Sequence, residues 1–231
     1  MIRAHALAAS AVSRTRPITC RHRARVLGLA ALVLAAWAIL GAPVAHADDG
    51  LLGIDKRWTY DNRGIWRRSY QDVLQYGLIA GELGVGLWEG GEDRFGHTMW
   101  QSIDASLISG IASAALKRAF SRERPHETAD PDQWFSGSGR SFPSGEVTET
   151  SSIVTPFVLE YGREHPAVYL LELLPAYDAV ARMKTQGHWQ SDVIAGFVLG
   201  TTTAYFLHKR KHPLVLGFMP HGVYVGLKAK F

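Results

Sequence analysis

The stretch 121–143 constrains the fold more than any other part of the sequence. It holds Pro125, Pro131, Gly137, Gly139 and Pro143. Residues of these two types break helices and strands, so we expect a loop of roughly twenty residues. Loops of that length are uncommon in a compact domain and usually serve a function when they occur. The sequence therefore predicts a functional loop in the middle of the domain.

Apolar residues at helical spacing predict α-helices on both sides of this loop. Before it, Ile103, Leu107 and Ile111 recur at the intervals of one helix face. We predict helices at about 70–88, 97–120, 144–161, 167–183 and 190–208. Pro156 should kink the third of these, and Pro175 should kink or break the fourth. The predicted fold class is all-α, a helical bundle.

Four glycines interrupt the first predicted helix: Gly77, Gly81, Gly84 and Gly86. We interpret them as points of close approach between helices. No segment after residue 47 reaches about 18 uncharged apolar residues, so no membrane-spanning helix is predicted there.

The C-terminal region has a different pattern. Apolar and polar residues alternate from Val223 to Phe231, after the turn sequence Pro220-His221-Gly222. Such alternation is typical of a strand. We predict a small C-terminal β hairpin packed on the bundle.

Residues 1–47 have the features of an export signal. A basic segment from Arg3 to Arg25 precedes the apolar run 26–42, and Ala45-His46-Ala47 has the small residues of a cleavage site. We expect cleavage there, leaving residues 48–231 as one exported domain, periplasmic or secreted. The alternative is an uncleaved segment that anchors the domain to a membrane.

The charge of the chain gives no support for nucleic-acid binding. Its net charge is +4, but residues 1–47 hold six Arg and no acidic residue. Residues 48–231 therefore carry 19 basic and 21 acidic residues. The single cysteine, Cys20, lies in the leader, and a mature chain without cysteine fits an oxidising compartment.

Polar residues at the predicted helix ends have the chemistry to bind phosphate. Lys117 and Arg124 stand in a K-x6-R-P pattern, and Arg182 lies near the end of the fourth helix. Arginine and lysine suit phosphate oxygens. Ser144 and Gly145 follow Pro143 at the start of the third helix, where free N–H groups and the helix dipole favour an anion.

His188 and Asp192 complete an R-x5-H-x3-D pattern that begins at Arg182. A carboxylate at this spacing can hold one imidazole nitrogen as a donor and leave the other free to attack. Taken singly, these residues favour solvated helix ends and a surface ion pair over a site. Their order and spacing together favour a site.

Three patterns in this order, K-x6-R-P, P-S-G at Pro143 and R-x5-H-x3-D, resemble the motifs of the type 2 phosphatidic acid phosphatase and vanadium haloperoxidase superfamily. The resemblance covers residues 117–192. It implies the helical bundle of that family. It also implies a phosphate-binding set made of Lys117, Arg124, Ser144, Gly145 and Arg182.

The resemblance further implies a catalytic role for two residues. His188 would form a phosphohistidine intermediate, and Asp192 would orient it. The phosphatase branch needs no metal and no cofactor, whereas the haloperoxidase branch holds vanadate with His188 as its apical ligand. The implied partner is a phosphorylated small molecule or a lipid phosphate, with peripheral membrane contact as a further expectation.

Two positions depart from the family pattern. Ala181 replaces a serine, and Glu146 replaces the histidine that protonates the leaving group. We expect Glu146 to act as the general acid, with activity skewed toward low pH; His126 is an alternative acid. Three functions stay open: an exported phosphatase, a protein that only binds phosphate or lipid headgroups, and a vanadate-dependent haloperoxidase.

Overall fold

The computed structural model describes Gly50, residues 53–210 and residues 213–214. This part of the chain forms five α-helices: α1 (Arg68–Glu89), α2 (Arg94–Phe120), α3 (Gly145–Tyr161), α4 (Leu173–Lys184) and α5 (Gln190–His208). Two 3-10 helices, Gly64–Trp66 and Pro166–Glu172, precede α1 and α4. The all-α prediction is confirmed for the described residues. The predicted export signal and nearly all of the predicted hairpin lie outside them.

Helix α3 is the centre of the bundle and packs mainly against α5 and α2, which also pack on each other. Its contact with α5 is close because α5 presents glycine there. A Cβ atom on Gly200 would lie 2.2 Å from Ser151 Oγ, and one on Gly196 would lie 2.5 Å from the Ser144 carbonyl oxygen.

Small hydroxyl residues make up much of the buried surface of α3. Thr148, Ser151 and Thr155 each donate a hydrogen bond to the carbonyl four residues earlier. Their polar groups are therefore satisfied within the helix, and their small size permits the close packing. The two helix starts also meet, since Ser144 N donates to the Asp192 carbonyl at 2.9 Å. This contact brings two of the predicted motifs together.

The interpretation of the α1 glycines is wrong for three of the four. A Cβ on Gly86 would lie 2.7 Å from Ile103, so this residue does allow close approach to α2. A Cβ on Gly77, Gly81 or Gly84 would meet no described atom within 4 Å. Sequence spacing does not reveal which side of the helix faces a neighbour.

Large apolar side chains are exposed along α1 and α2: Tyr70, Val73, Tyr76, Leu83, Val85, Leu87, Trp88, Phe95, Leu107, Ile108 and Ile111. Among the residues that the structure describes, no helix combines the length and the apolar character needed to cross a membrane.

Pro156 and Pro175, the two prolines within predicted helices, occupy different positions in the observed ones. Pro156 lies within α3, which continues to Tyr161. The predicted helix at 167–183 is divided into the 3-10 helix Pro166–Glu172 and α4, which places Pro175 in the first turn of α4. Proline is tolerated in a first turn because the N–H groups there have no helical partner.

The predicted central loop connects α2 to α3 and is held by aromatic contacts. The Phe120 ring at the end of α2 lies 5.2 Å from Phe142 and 5.9 Å from Trp134, measured between centroids. Buried Arg122 lies 4.3 Å from the Trp134 ring. These contacts fix the loop against α2, next to the start of α3.

Candidate anion-binding site

One pocket of about 290 Å³ brings most of the predicted site residues together. Residues of α1, α2, α3 and α4 and of the central loop surround it. The predicted residues that line it are Lys117, Arg124, Gly145, Glu146, Arg182 and His188. Ser144 immediately precedes Gly145 and is buried, and Asp192 is buried one turn into α5.

Lys117 joins α2 to the loop that leads into α3. Its Nζ donates to the carbonyl oxygens of Pro143 at 2.5 Å and Arg140 at 3.1 Å. An ammonium group has three donors, so one is left for a ligand. Burial lowers the pKa of Lys117 to about 8, and the charge of Arg124 adds to this effect. A Cβ on Gly145 would lie 3.3 Å from Lys117 Cε, so the glycine leaves room for the lysine.

Arg182 is buried in the last turn of α4, where a glycine makes room for its guanidinium group. A Cβ on Gly187 would lie 2.3 Å from Arg182 Nη2, a distance that no real side chain tolerates. Burial lowers the pKa of Arg182, and the charge of Glu146 opposes that effect. Arginine nevertheless keeps its charge in proteins, so the pocket retains a buried cation.

His188 is buried in the turn before α5 and is held in a defined tautomer. Its Nδ1 lies 2.8 Å from the Ser141 carbonyl oxygen. A carbonyl only accepts, so Nδ1 carries the proton and Nε2 keeps a free lone pair. Burial lowers the pKa of His188 well below its usual value, as do the charges of Lys117 and Arg182. The ring is therefore neutral near pH 7, the form that a nucleophile requires.

Asp192 contacts His188 less directly than the family pattern implies. Its Oδ2 atom is 3.9 Å from His188 Nδ1, which is too far for a hydrogen bond. The same oxygen accepts hydrogen bonds from Ser141 Oγ at 2.5 Å and from Trp189 N at 2.8 Å. Asp192 thus holds Ser141, whose carbonyl in turn orients the imidazole.

A buried network behind His188 was not identified from the sequence. Arg122 donates to Asp192 Oδ1 at 2.7 Å and to Asp55 Oδ2 at 2.6 Å. It also donates to Ser191 Oγ and to the Pro131 carbonyl. In the sequence Arg122 is one of several basic residues around position 120, and nothing there distinguishes the buried one.

Glu146 lies between two guanidinium groups. Its Oε2 atom is 2.5 Å from Arg182 Nε, and its Oε1 atom is 2.5 Å from Arg68 Nη2. Arg68 belongs to α1 and also pairs with Asp72 at 2.8 Å. Sequence reasoning missed Arg68, because it precedes the motifs by about fifty residues and lies in no recognisable pattern.

Several buried polar atoms at this pocket have no hydrogen-bond partner in the described part of the chain. They are Ser113 Oγ, Arg182 Nε and Glu146 Oε2; Ser144 Oγ is also unpaired, but Ser144 is not among the residues that line the pocket. The Arg182–Glu146 contact is close, but it is not aligned as a hydrogen bond. Buried polar groups in proteins are normally paired, so unpaired ones at a pocket indicate room for a ligand. Hydroxyl and guanidinium donors suit an oxyanion.

A larger groove of about 630 Å³ adjoins this pocket of about 290 Å³. Its lining is mostly apolar and comes from α1 and α2: Ile79, Leu83, Leu87, Trp100, Ile103, Leu107 and Ile111. Gly110, Ala114 and Glu149 line both spaces. An anion with an apolar tail can therefore occupy both.

Within the described ranges, no group of three or more His, Cys, Asp or Glu side chains is placed to hold a metal ion. The charged side chains that line the pocket are four cations and two carboxylates, a balance that favours an anion.

The helical fold and the cationic pocket are the features to compare with known proteins, and one comparison gives a match. Residues 100–214 match the family model of the PAP2 superfamily. The matched range contains every site residue predicted from the sequence, and the superfamily generally contains phosphatases. No curated protein and no solved structure matches the chain.

Proposed function

We propose that the protein is a phosphatase that hydrolyses phosphate monoesters or lipid phosphates through a phosphohistidine at His188. The observation that carries this proposal is the neutral His188 ring, with Nε2 unprotonated, in a pocket lined by four cationic side chains. Lys117, Arg124 and Arg182 bind the phosphate oxygens, and Ser144 and the Gly145 N–H add neutral donors.

In the first step, His188 Nε2 attacks phosphorus in line with the ester oxygen. The N–P bond forms as the P–O ester bond breaks, and the cations stabilise the charge on the three remaining oxygens. Glu146, displaced from Arg182 by the phosphate and protonated from solvent, gives its proton to the leaving oxygen.

In the second step, water attacks phosphorus and the N–P bond breaks. Glu146, now a carboxylate, accepts the proton of the water, and inorganic phosphate leaves. His188 returns to its neutral form, held by Ser141. Asp192 acts through Ser141 as a positioning residue.

The adjoining groove supports a substrate with an apolar tail. Its apolar lining offers a chain about 0.8 kcal/mol for each CH₂ group that it buries. The exposed apolar residues of α1 and α2 support peripheral contact with a membrane. The leader supports export, with residues 48–231 as the functional domain.

His188→Ala tests the reaction. We expect phosphate release from an aryl phosphate and from a lipid phosphate to be lost, while calorimetry still detects phosphate binding, because the cations remain. His126→Ala is the control: His126 is exposed in the loop, and its loss should leave turnover unchanged. Unchanged turnover in His188→Ala would exclude the phosphohistidine mechanism, and loss of turnover in His126→Ala would identify a different acid.

A protein that binds phosphate without hydrolysing it is the second candidate function. The ion pair between Glu146 and Arg182 favours it, because a carboxylate stands where the family has a proton-donating histidine. Phosphate binding without release from any ester would identify this function. No contact in the described pocket favours vanadate over phosphate, and vanadate-dependent halide oxidation is the assay that would reveal a haloperoxidase.

A further inference from the structure

We propose that Glu146 is an internal competitor for the phosphate site and thereby a determinant of substrate charge. In the free protein its carboxylate is bound to Arg182, and a substrate must displace it. This inference rests on the proposed function, since it takes the pocket to be the phosphate site. It adds a step that precedes binding and that the site motifs do not contain.

The position of the carboxylate supports this role. Glu146 lies in the first turn of α3, directly after Gly145, and both of its oxygens contact guanidinium nitrogens at 2.5 Å. Both contacts join opposite charges at or below the usual distance of a charge-assisted hydrogen bond. A carboxylate bound by two arginines uses the same donors that a phosphate would use. The charge of Arg182 is therefore already neutralised before a substrate arrives.

The contact is also incomplete, which makes displacement possible. Arg182 Nε and Glu146 Oε2 lack an aligned hydrogen bond, although both are buried. The hydroxyl of Ser113, which lines the pocket, has no partner in the described chain either. A tetrahedral anion presents more oxygens than a carboxylate does, so it can satisfy donors that Glu146 leaves unpaired.

Arg68 provides a place for the displaced carboxylate. Its side chain is 38% exposed and contacts both Glu146 and Asp72. Glu146 can keep its contact with Arg68 while Arg182 transfers to the phosphate. The displaced carboxylate then stays close to the phosphate, and once it takes a proton from solvent it can serve as the proton donor of the proposed reaction.

The competition sets a threshold on the charge of the ligand. A monoanion offers Arg182 no more charge than Glu146 does, whereas a phosphate monoester dianion offers twice as much. The pocket should therefore favour monoesters over diesters and carboxylates. This selection comes from a residue of the protein and needs no contact with the rest of the substrate.

Calorimetric titration with inorganic phosphate at neutral pH tests the inference without turnover. The proteins are the full chain, its Glu146→Gln variant and its Glu149→Gln variant. Glu149 is the matched control, because it lines the same pocket one turn along α3 but bonds to Gln75 instead of an arginine. We expect Glu146→Gln to bind phosphate about tenfold more tightly or better, and Glu149→Gln to change affinity by less than about threefold.

Equal or weaker phosphate binding by Glu146→Gln would overturn the proposal. So would an equal gain in Glu149→Gln, because the effect would then be charge acting at a distance. Glu146→Ala serves as a second variant, since glutamine can still accept from arginine, and it should gain at least as much. If none of these proteins binds phosphate, the anion site and the proposed function fail together. If all of these proteins bind phosphate equally and hydrolyse esters, only the proposal that Glu146 competes with phosphate is wrong.

Discussion

Two arginine–carboxylate groups, one behind His188 and one in the pocket, use the same chemistry to different ends. Arg122 is fully buried and bonds to Asp55 and Asp192, whose side chains are also 0% exposed. Arg182 and Glu146 are 6% and 12% exposed and lie at the pocket. Arg122 has directed bonds to every partner, whereas the Arg182–Glu146 contact lacks alignment.

The difference shows how an ion pair with all its hydrogen bonds made differs from one that can exchange its partner. Removing Arg122 would leave the buried carboxyl groups of Asp55 and Asp192 without their cation, so Arg122 has no freedom to change partners. Arg182 can exchange Glu146 for a ligand, because the pocket admits one and the present contact leaves donors unused. In the proposed mechanism, the first group holds His188 in place and the second controls access to Arg182.

Replacing Arg122 gives the largest expected effect and tests the structural half of the comparison. Arg122→Gln should lower the free energy of unfolding by about 3–5 kcal/mol, because Asp55 and Asp192 then stay buried without a cation. Urea unfolding measures this. Arg118→Gln is the control, since Arg118 is exposed in the last turn of α2, four residues before Arg122, and should change stability by less than about 0.5 kcal/mol. Equal effects of the two substitutions would contradict the distinction.

Replacing Glu146 tests, through catalysis, whether the Arg182–Glu146 ion pair is exchangeable. Glu146→Gln should reduce turnover of an alkyl phosphate by about 10²- to 10⁴-fold, because the leaving alkoxide needs a proton. An aryl phosphate has a better leaving group and should lose much less. Steady-state phosphate release with both substrates across pH measures this difference.

Glu146→His gives the complementary result. A histidine at this position should restore alkyl phosphate turnover and shift the optimum toward neutrality, because its usual pKa is higher than that of glutamate. Parental activity of Glu146→Gln on both substrates would show that Glu146 is not the acid.

Asp178 is a further buried carboxyl group near Arg182, and replacing it should have a smaller, pH-dependent effect on stability. It is 1% exposed, and neither of its oxygens has a hydrogen-bond partner in the described residues. Burial raises the pKa of Asp178 to about 8, and the charge of Glu146 adds to this. The folded state therefore holds a proton that the unfolded state releases above about pH 4, and stability falls as pH rises toward 8.

Asp178→Asn should flatten this slope and raise stability near pH 8 by about 1 kcal/mol or more. Urea unfolding at several pH values measures it. Some slope of the same sign should remain, because burial also raises the pKa values of Glu82 and Glu172 to about 7. An unchanged slope would mean that Asp178 is ionised in the folded protein and paired with Arg182.

The sequence predicted the helices and the residues that meet at the pocket, because both depend on local patterns. Helix α5, for example, has the predicted bounds, 190–208. The partners of the charged groups were not predictable, since they come from distant segments. Asp55 reaches Arg122, and Arg68 reaches Glu146, across 67 and 78 positions respectively. The role of Glu146 depends on that second contact, which no motif encodes.

Covalent trapping of the intermediate tests the central claim most directly, namely that the neutral His188 attacks phosphorus after phosphate has replaced Glu146 at Arg182. The purified protein is mixed with an aryl phosphate, quenched in base to preserve phosphohistidine, digested and analysed by mass spectrometry. We predict phosphate on His188 in the parent protein and none in His188→Ala. Hydrolysis with no phosphate on His188, or with phosphate on another side chain, would contradict the account.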